Sequence, residues 1–247
     1  MLAPRQDQIL MLNQFFETAF ELKDIAAHLG ITMRVIHHKD DPYFLKLSKP
    51  DQLAVIERLK IYQQVFKMAL AENKQSIEEK KLLWFAIQRL KLVPSSNLME
   101  IIGENDLVEV YVGNRQVYRT FNYYDMCSYS IDELENLPWD ELFLRRDKNI
   151  LQQMIAEAAV ALSEKRMVVS KVPAHVVEET CSPFMNKFSY QLKYIVPLKD
   201  QEAHRQDCFL LVLEAKLLET FPLHLRDMKI QEYQDAKFKE LENEGLI

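Results

Sequence analysis

The sequence predicts an α+β protein, with helices in its N-terminal part, then an antiparallel sheet flanked by helices, and a C-terminal helix. Apolar residues recur at helical spacing in the N-terminal part, most clearly over residues 8–22 and 51–73. Residues 107–112 show an apolar and acidic alternation, and residues 188–196 alternate with their apolar side chains on one face, so both stretches are predicted as strands. Between these two strands, Ser130-Ile-Asp-Glu133 has the form of a capping box, which starts a helix.

Three helices are predicted before the sheet, and the first covers residues 8–22. The second follows Ser48-Lys-Pro-Asp51, which combines an N-cap, an early proline and a carboxylate at the positive end of the helix dipole. The third is predicted to start at a second capping box, Ser76-Ile-Glu-Glu79, and to run to about Val93, where Pro94 ends it. The apolar residues of the second helix recur in steps of four and three: Val55, Leu59, Tyr62, Phe66 and Ala69.

The second part is predicted to begin with a short helix over residues 97–102 and then a hairpin. Gly113-Asn114 supplies the turn of the hairpin, because both residue types tolerate a positive φ. Helices are then expected over residues 122–127, 130–137, 138–143 and 149–163, strands over 166–172, 188–196 and 208–214, and a loop over 178–187. The inner face of the longest of these helices is predicted to carry Ile150, Met154, Ile155, Ala158 and Leu162.

These elements predict a domain organisation with its main boundary near residues 95–105. Residues 1–94 are expected to form a helical domain, residues 95–216 a sheet domain, and residues 217–247 a charged helical tail.

The order of these elements, together with the run Cys127-Ser-Tyr-Ser-Ile-Asp-Glu-Leu-Glu-Asn-Leu-Pro-Trp-Asp-Glu-Leu-Phe143, resembles a PAS domain. The resemblance covers about residues 105–216. It departs from the family pattern at Cys127 and Asn136, where glycine is common. It implies a PAS-like antiparallel sheet and a module that senses a signal or docks a protein partner, since the fold alone fixes no chemistry.

The same resemblance allows the cofactors of PAS domains to be tested by motif. Flavin-binding members carry a cysteine motif on the short helix before the long one, and residues 138–143 contain no cysteine. Haem-binding members place a histidine on or near the long helix, and residues 149–163 contain none. We therefore expect no cofactor, and two readings of the aromatic residues stay open: they fill the core, or they line a pocket for a small organic ligand. The pocket would be lined by Tyr123, Trp139, Phe143, Met154, Tyr190 and Tyr194.

Composition and charge indicate a cytoplasmic protein that does not enter the membrane. No apolar run approaches the roughly 18–20 residues that span a bilayer, and the N-terminus has no signal-peptide pattern. The three cysteines are odd in number and show no C-x-x-C spacing, which suits a reducing compartment. The first 100 residues carry 14 basic and 12 acidic side chains, a balance of +2, and the remainder carries 17 and 25, a balance of −8. An acidic second part is a poor surface for nucleic acid.

A weak resemblance to a helix-turn-helix lies at residues 22–38, with Gly30 at the turn. On this reading a second helix would expose Thr32, Met33, Arg34, His37 and His38 towards DNA. The alternative is a plain helical corner. It is favoured by the slight basic surplus and by Asp40-Asp41-Pro42, which would bring two carboxylates close to the phosphates.

No set of residues shows the spacing of a catalytic or metal centre. The sequence holds no G-x-S-x-G, no G-x-G-x-x-G, and no paired histidines at ligand spacing. We therefore expect no enzyme and no metal, but a regulatory signalling protein that binds a protein partner or itself, with a small-molecule ligand as a further option. A DNA-binding transcription regulator and a non-catalytic scaffold are the alternatives.

Overall fold

A computed structural model of the chain describes residues 6–35, 42–72, 78–145, 147–180, 186–205 and 207–219. These residues form a mixed α+β protein in which N-terminal helices precede a curled antiparallel sheet. The predicted residues Ser76, His37, His38 and 220–247 lie outside the described residues.

Four helices form the N-terminal part of the described chain: α1 (Gln6–His28), α2 (Pro42–Lys46), α3 (Lys49–Ala71) and α4 (Glu79–Arg89). The predicted start of α3 is confirmed, because the Ser48 side chain accepts a hydrogen bond from the amide of Asp51, and a proline occupies the first turn. The predicted apolar stripe of α3 is also confirmed, since all five of its residues are buried. The predicted end of α4 is wrong. The helix stops at Arg89, Lys91 has a φ of 54°, and β1 (Leu92–Pro94) follows as a strand.

The hairpin and the short helices after it are formed as predicted. The lead-in helix α5 (Leu98–Ile101) precedes β2 (Leu107–Val112) and β3 (Arg115–Arg119), which pair through a turn at Gly113 with φ 59°. Helices α6 (Asn122–Met126), α7 (Ile131–Asn136) and α8 (Trp139–Leu142) follow. The capping box that starts α7 has both of its hydrogen bonds, with Ser130 accepting from the amide of Glu133 and Glu133 accepting from the amide of Ser130.

The rest of the sheet combines predicted strands with others that the sequence pattern does not indicate. After α8 come β4 (Phe143–Arg145), α9 (Lys148–Glu164), β5 (Val168–Val169) and β6 (His175–Glu179), and two long strands, β7 (Lys187–Asp200) and β8 (Cys208–Glu219). The strand predicted over residues 166–172 is reduced to β5, and residues 178 and 179, predicted as loop, belong to β6. Residues 217–219, predicted as the start of a helical tail, continue β8.

Along the sheet the strands follow the order β3-β2-β8-β7-β6-β4, and β1 and β5 pair with further parts of β7. Every pair is antiparallel. A bulge in β7 between Leu192 and Tyr194 ends the predicted single-face alternation, and beyond it Ile195 and Val196 are both buried. On α9, the prediction that Ile155 faces inward is wrong, since Ile155 is 61% exposed.

The N-terminal helices and the sheet share one hydrophobic core. Phe66 on α3 and Phe121 before α6 have ring centroids 4.3 Å apart, and Tyr62 on α3 meets Tyr118 on β3 at 5.5 Å. The strand β1 also joins the sheet directly after α4, by pairing with the end of β7. The domain boundary predicted near residues 95–105 stays a prediction. Because the two parts share a core, it can be tested by asking whether they unfold together.

We expect the helices and the sheet to unfold together, because the aromatic layer between them is buried from both sides. Trp84 on α4 and Trp139 on α8 report on the two parts separately. Each of the variants Trp84→Phe and Trp139→Phe keeps one tryptophan, whose fluorescence follows the unfolding of one part in urea. In each variant, the midpoint of unfolding measured by fluorescence should coincide with the midpoint measured by far-ultraviolet circular dichroism. Separate midpoints within one variant would show two independent domains.

A buried carboxyl predicts a pH dependence of the stability. Burial raises the pKa of Glu79 to about 7, and the backbone amides of Phe121 and Asn122 act in the opposite direction. Between the ordinary value near 4.5 and about 7, the folded carboxyl keeps its proton while the unfolded one ionises. The Glu79 contribution therefore lowers the stability as the pH rises through this window.

We expect Glu79→Gln to be more stable than the wild type by about 1–3 kcal/mol at pH 8, and no more stable at pH 4.5. Urea denaturation at the two pH values measures this difference. The neighbouring, exposed Glu78 is the control, and Glu78→Gln should change the free energy of unfolding by less than about 0.5 kcal/mol at either pH. An equal effect of Glu79→Gln at both pH values would contradict the assignment.

Candidate functional site

Four of the six residues predicted to line a ligand pocket come together between the sheet and the short helices. The Trp139 ring lies 4.4 Å from that of Phe143, 5.9 Å from that of Tyr190 and 6.3 Å from that of Tyr123. The hydroxyls of Tyr123 and Tyr190 are 3.4 Å apart. Tyr123, Phe143 and Tyr190 are buried, so these rings are packed on one another as core residues pack.

The other two predicted pocket residues lie on longer elements. Met154 is a half-buried residue of α9, and Tyr194 is a half-buried residue of β7 paired with Val169 and Val212. Within the described chain, no ring contact joins Tyr194 to the aromatic cluster.

The predicted second helix of a helix-turn-helix is not formed over residues 31–35. Helix α1 ends at His28, and the following residues have no regular secondary structure. Met33 is buried, while Arg34 donates from Nη1 to the Ser128 carbonyl at 2.8 Å and accepts from the Ile131 amide at 2.7 Å. Thr32 is exposed. The hydrogen bonds of Arg34 hold this segment against α7, and DNA binding through residues 22–38 stays a prediction.

A groove of about 780 Å³ lies where the N-terminal helices meet the sheet. One wall is formed by α2 and α3, a second by the β2–β3 hairpin, and a third by α7 and α8. Trp139 is the member of the predicted pocket set that also lines this groove. A groove of this size falls in the range of small-molecule sites.

The three walls of the groove are joined by one buried carboxylate, Glu135. Arg58 of α3 pairs with Glu135 Oε2 through Nε, donates to the Glu135 carbonyl at 2.6 Å, and donates to the Gln116 carbonyl at 2.9 Å. Arg119 of β3 lies 3.7 Å from Glu135 Oε1 through its Nε, and the Tyr124 hydroxyl donates to the same oxygen at 2.8 Å. Glu135 is therefore held by a helix, a strand and a tyrosine at once.

The electrostatics of this network favour its ionised form. Burial alone would raise the pKa of Glu135, but Arg58 and Arg119 together hold it below the usual range of a glutamic acid. Burial raises the pKa of Tyr62, whose hydroxyl accepts from the Arg119 amide at 3.2 Å and remains protonated. The network thus presents two guanidinium groups and a carboxylate beside the groove.

A second carboxylate, Glu109, lies deeper in the same region. Glu109 and Arg119 are cross-strand partners in the β2–β3 hairpin. The Tyr111 hydroxyl donates to Glu109 Oε2 at 2.9 Å, and the Arg119 guanidinium lies 5.7 Å from the centroid of the Tyr123 ring. Tyr111 and Arg119 both line the groove, and Glu109 lies beside them at its inner end, bonded to the Tyr111 hydroxyl and opposite Arg119 on the neighbouring strand.

The charged residues of this site were missed in the sequence. Arg58, Arg119 and Glu135 lie far apart along the chain, and each fits a solvated position of a helix or a strand. The one usable signal was Glu109, an acidic residue in a strand whose other residues are all apolar or aromatic. A carboxylate within such a strand needs a partner when both faces of the strand are covered.

Fold and site together define a mixed α+β protein whose N-terminal helices and curled antiparallel sheet enclose a groove with a buried ionic floor. No protein-family model matches the chain, and no curated protein shows significant sequence similarity to it. Among the described residues, no cluster of His, Cys, Asp and Glu could hold a metal ion, and none of the helices combines the length and the apolar character of a membrane-spanning segment.

We expect Arg58→Met to destabilise the protein by about 3–5 kcal/mol, because it leaves the buried carboxylate of Glu135 without its closest cation. The matched control is Lys60→Met on the same helix, where the ion pair with Glu57 is exposed and should contribute about 1 kcal/mol or less. Urea denaturation of both variants at pH 7 gives the comparison. Equal losses of stability in the two variants would mean that the ion pairs of Glu135 do not hold α3 on the sheet.

Proposed function

We propose that the protein is a cytoplasmic regulatory protein whose sheet part, PAS-like in its order of elements, senses a small molecule and passes the signal to the N-terminal helices. The order of a hairpin, three short helices, a long helix and further antiparallel strands supports the PAS-like part of this proposal. The observation that carries the sensing role is the position of the groove, which is lined by α3 of the helical part and by α7, α8 and the hairpin of the sheet part.

The position of the groove gives a route for the signal. A molecule in the groove contacts residues from both parts, such as Ala54 and Ile61 on α3 and Leu137 after α7. A ligand shifts a conformational equilibrium by the difference in its affinity for the two states. A state in which α3 moves away from the hairpin would lose one wall of the site, so bound ligand favours the closed packing of the helices on the sheet.

A regulatory role also fits the way the site is built. Its charged groups are paired with one another through Arg58, Glu135 and Arg119, an arrangement that fixes geometry and offers no activated nucleophile. Docking of a protein partner and self-association stay predictions.

We expect that filling the groove abolishes ligand binding. Ala54→Trp places an indole in the groove, whereas Leu53→Trp places the same group on the exposed side of α3, outside the groove. Each protein is incubated with a defined mixture of amino acids, organic acids, aromatic acids and nucleotides, and is then analysed by native mass spectrometry. The wild type and Leu53→Trp should retain a common adduct that Ala54→Trp lacks.

Hydrogen exchange provides the readout of signalling in the same samples. With the bound compound present, amides of α3 and α7 should exchange more slowly in the wild type and in Leu53→Trp, and at an unchanged rate in Ala54→Trp. The proposal fails if the wild type forms no adduct with any compound, or if Ala54→Trp binds as well as Leu53→Trp does.

A further inference from the structure

Two buried side chains at the inner end of the groove, Arg119 in its lining and Glu109 beside Arg119, keep hydrogen-bonding atoms that the described part of the protein leaves without partners. Arg119 is 4% exposed, and its Nη1 has no hydrogen-bond acceptor among the described residues, while its Nε faces Glu135 Oε1 at 3.7 Å. Glu109 is 2% exposed, and its Oε1 has no donor within the same set. A buried polar atom without a partner is costly, so native proteins rarely keep one without a use for it.

The fold holds these two side chains next to each other and fixes their other atoms. The hairpin pairs Glu109 with Arg119 across the two strands. Tyr111 binds Oε2 of Glu109, and the side-chain oxygen of Gln116 accepts from Nη2 of Arg119. Each side chain is thus anchored by one end, which leaves guanidinium donors and a carboxylate acceptor on neighbouring positions.

The charge balance restricts what can bind there. The charged groups joined at this end of the groove are the half-buried Arg58 and the buried Arg119, Glu109 and Glu135, two positive and two negative. A bound anion or cation would add an uncompensated charge in a desolvated place, which is unfavourable. A zwitterion adds no net charge, and it offers an anionic acceptor to Arg119 and a cationic donor to Glu109. Hydrogen bonds between ionised groups are about twice as strong as neutral ones.

We propose that the inner end of the groove binds a small zwitterion of the α-amino acid class. Its carboxylate accepts from Nη1 of Arg119, and its ammonium group donates to Oε1 of Glu109. The rest of the ligand extends along the apolar wall of the groove, which includes Ile61, Val117 and Trp139. This inference rests on the proposed function, because it names the class of molecule that the groove senses.

The test uses isothermal titration calorimetry of the wild-type protein with the twenty common amino acids, one at a time. At least one should bind, and its two single-charge analogues should bind about 30-fold more weakly or worse, since each leaves one buried charge unpaired. For phenylalanine these analogues are phenethylamine and 3-phenylpropanoate. Equal binding of an amino acid and either analogue would overturn the inference.

A pair of variants locates the binding site. Glu109→Gln keeps the shape of the side chain and removes its charge, and it should weaken binding of the amino acid about 30-fold or more. Glu17→Gln is the control, because Glu17 is an exposed residue of α1 outside the groove, and its effect should stay within about twofold. Circular dichroism verifies that both variants fold. Because the analogue comparison needs only the wild type, the inference stays testable if Glu109→Gln does not fold.

The outcomes separate this inference from the proposed function. If no amino acid binds, but a compound of another class gives an adduct that Ala54→Trp abolishes, the zwitterion is wrong and the sensing role stands. A planar heterocycle would be such a compound. If no compound binds the wild type at all, both proposals fall together.

Discussion

The structure depends on the burial of one carboxylate, that of Glu135, between the helices and the sheet. Moving a carboxylate out of water is costly, and only partners with good geometry offset the cost. Arg58 reaches Glu135 from α3, Arg119 approaches it from β3, and Tyr124 donates to it from α6. Since these partners come from three different elements, Glu135 can be buried only when all three are docked. The ion pairs beside the groove therefore form only when the helices and the sheet are packed together.

The aromatic layer beside this network supplies the apolar part of the same interface. Phe121 packs against Tyr62 and Phe66 of α3 and against Tyr118 of β3. Hydrophobic burial of this kind is strong but not directional, so it permits small sliding movements of α3 along the sheet. The two hydrogen bonds from Arg58 to backbone carbonyls are directional and fix where α3 comes to rest. The hydrophobic burial and the directional hydrogen bonds together give the groove a defined shape.

Local signals predicted the local elements, and pairing between distant segments explains what the sequence did not reveal. The capping box at Ser130, the turn at Gly113 and the start of α3 each depend on residues at most three positions apart, and all three are formed. The strand β1 is only three residues long and exists because it pairs with β7, more than a hundred residues later. Strands this short show no periodicity of their own. The same limit applies to β4 and β6.

The site was less predictable than the fold, because helical and strand patterns assign charged residues to the solvent side. Arg58 follows that pattern on α3 and is nevertheless mostly buried, since the hairpin covers it. Trp139 was predicted because aromatic residues in this region suggest a pocket, yet the ring also forms part of a packed cluster. Glu109 differs from both. A single carboxylate within a strand covered on both faces has no solvent side to occupy, so its presence requires a partner such as Arg119. Within the described chain, one of the two carboxylate oxygens of Glu109 has a hydrogen-bond partner, because the Tyr111 hydroxyl donates to Oε2. Oε1 of Glu109 and Nη1 of Arg119 have no partner among the described residues, and in our proposal they select the molecule that binds there.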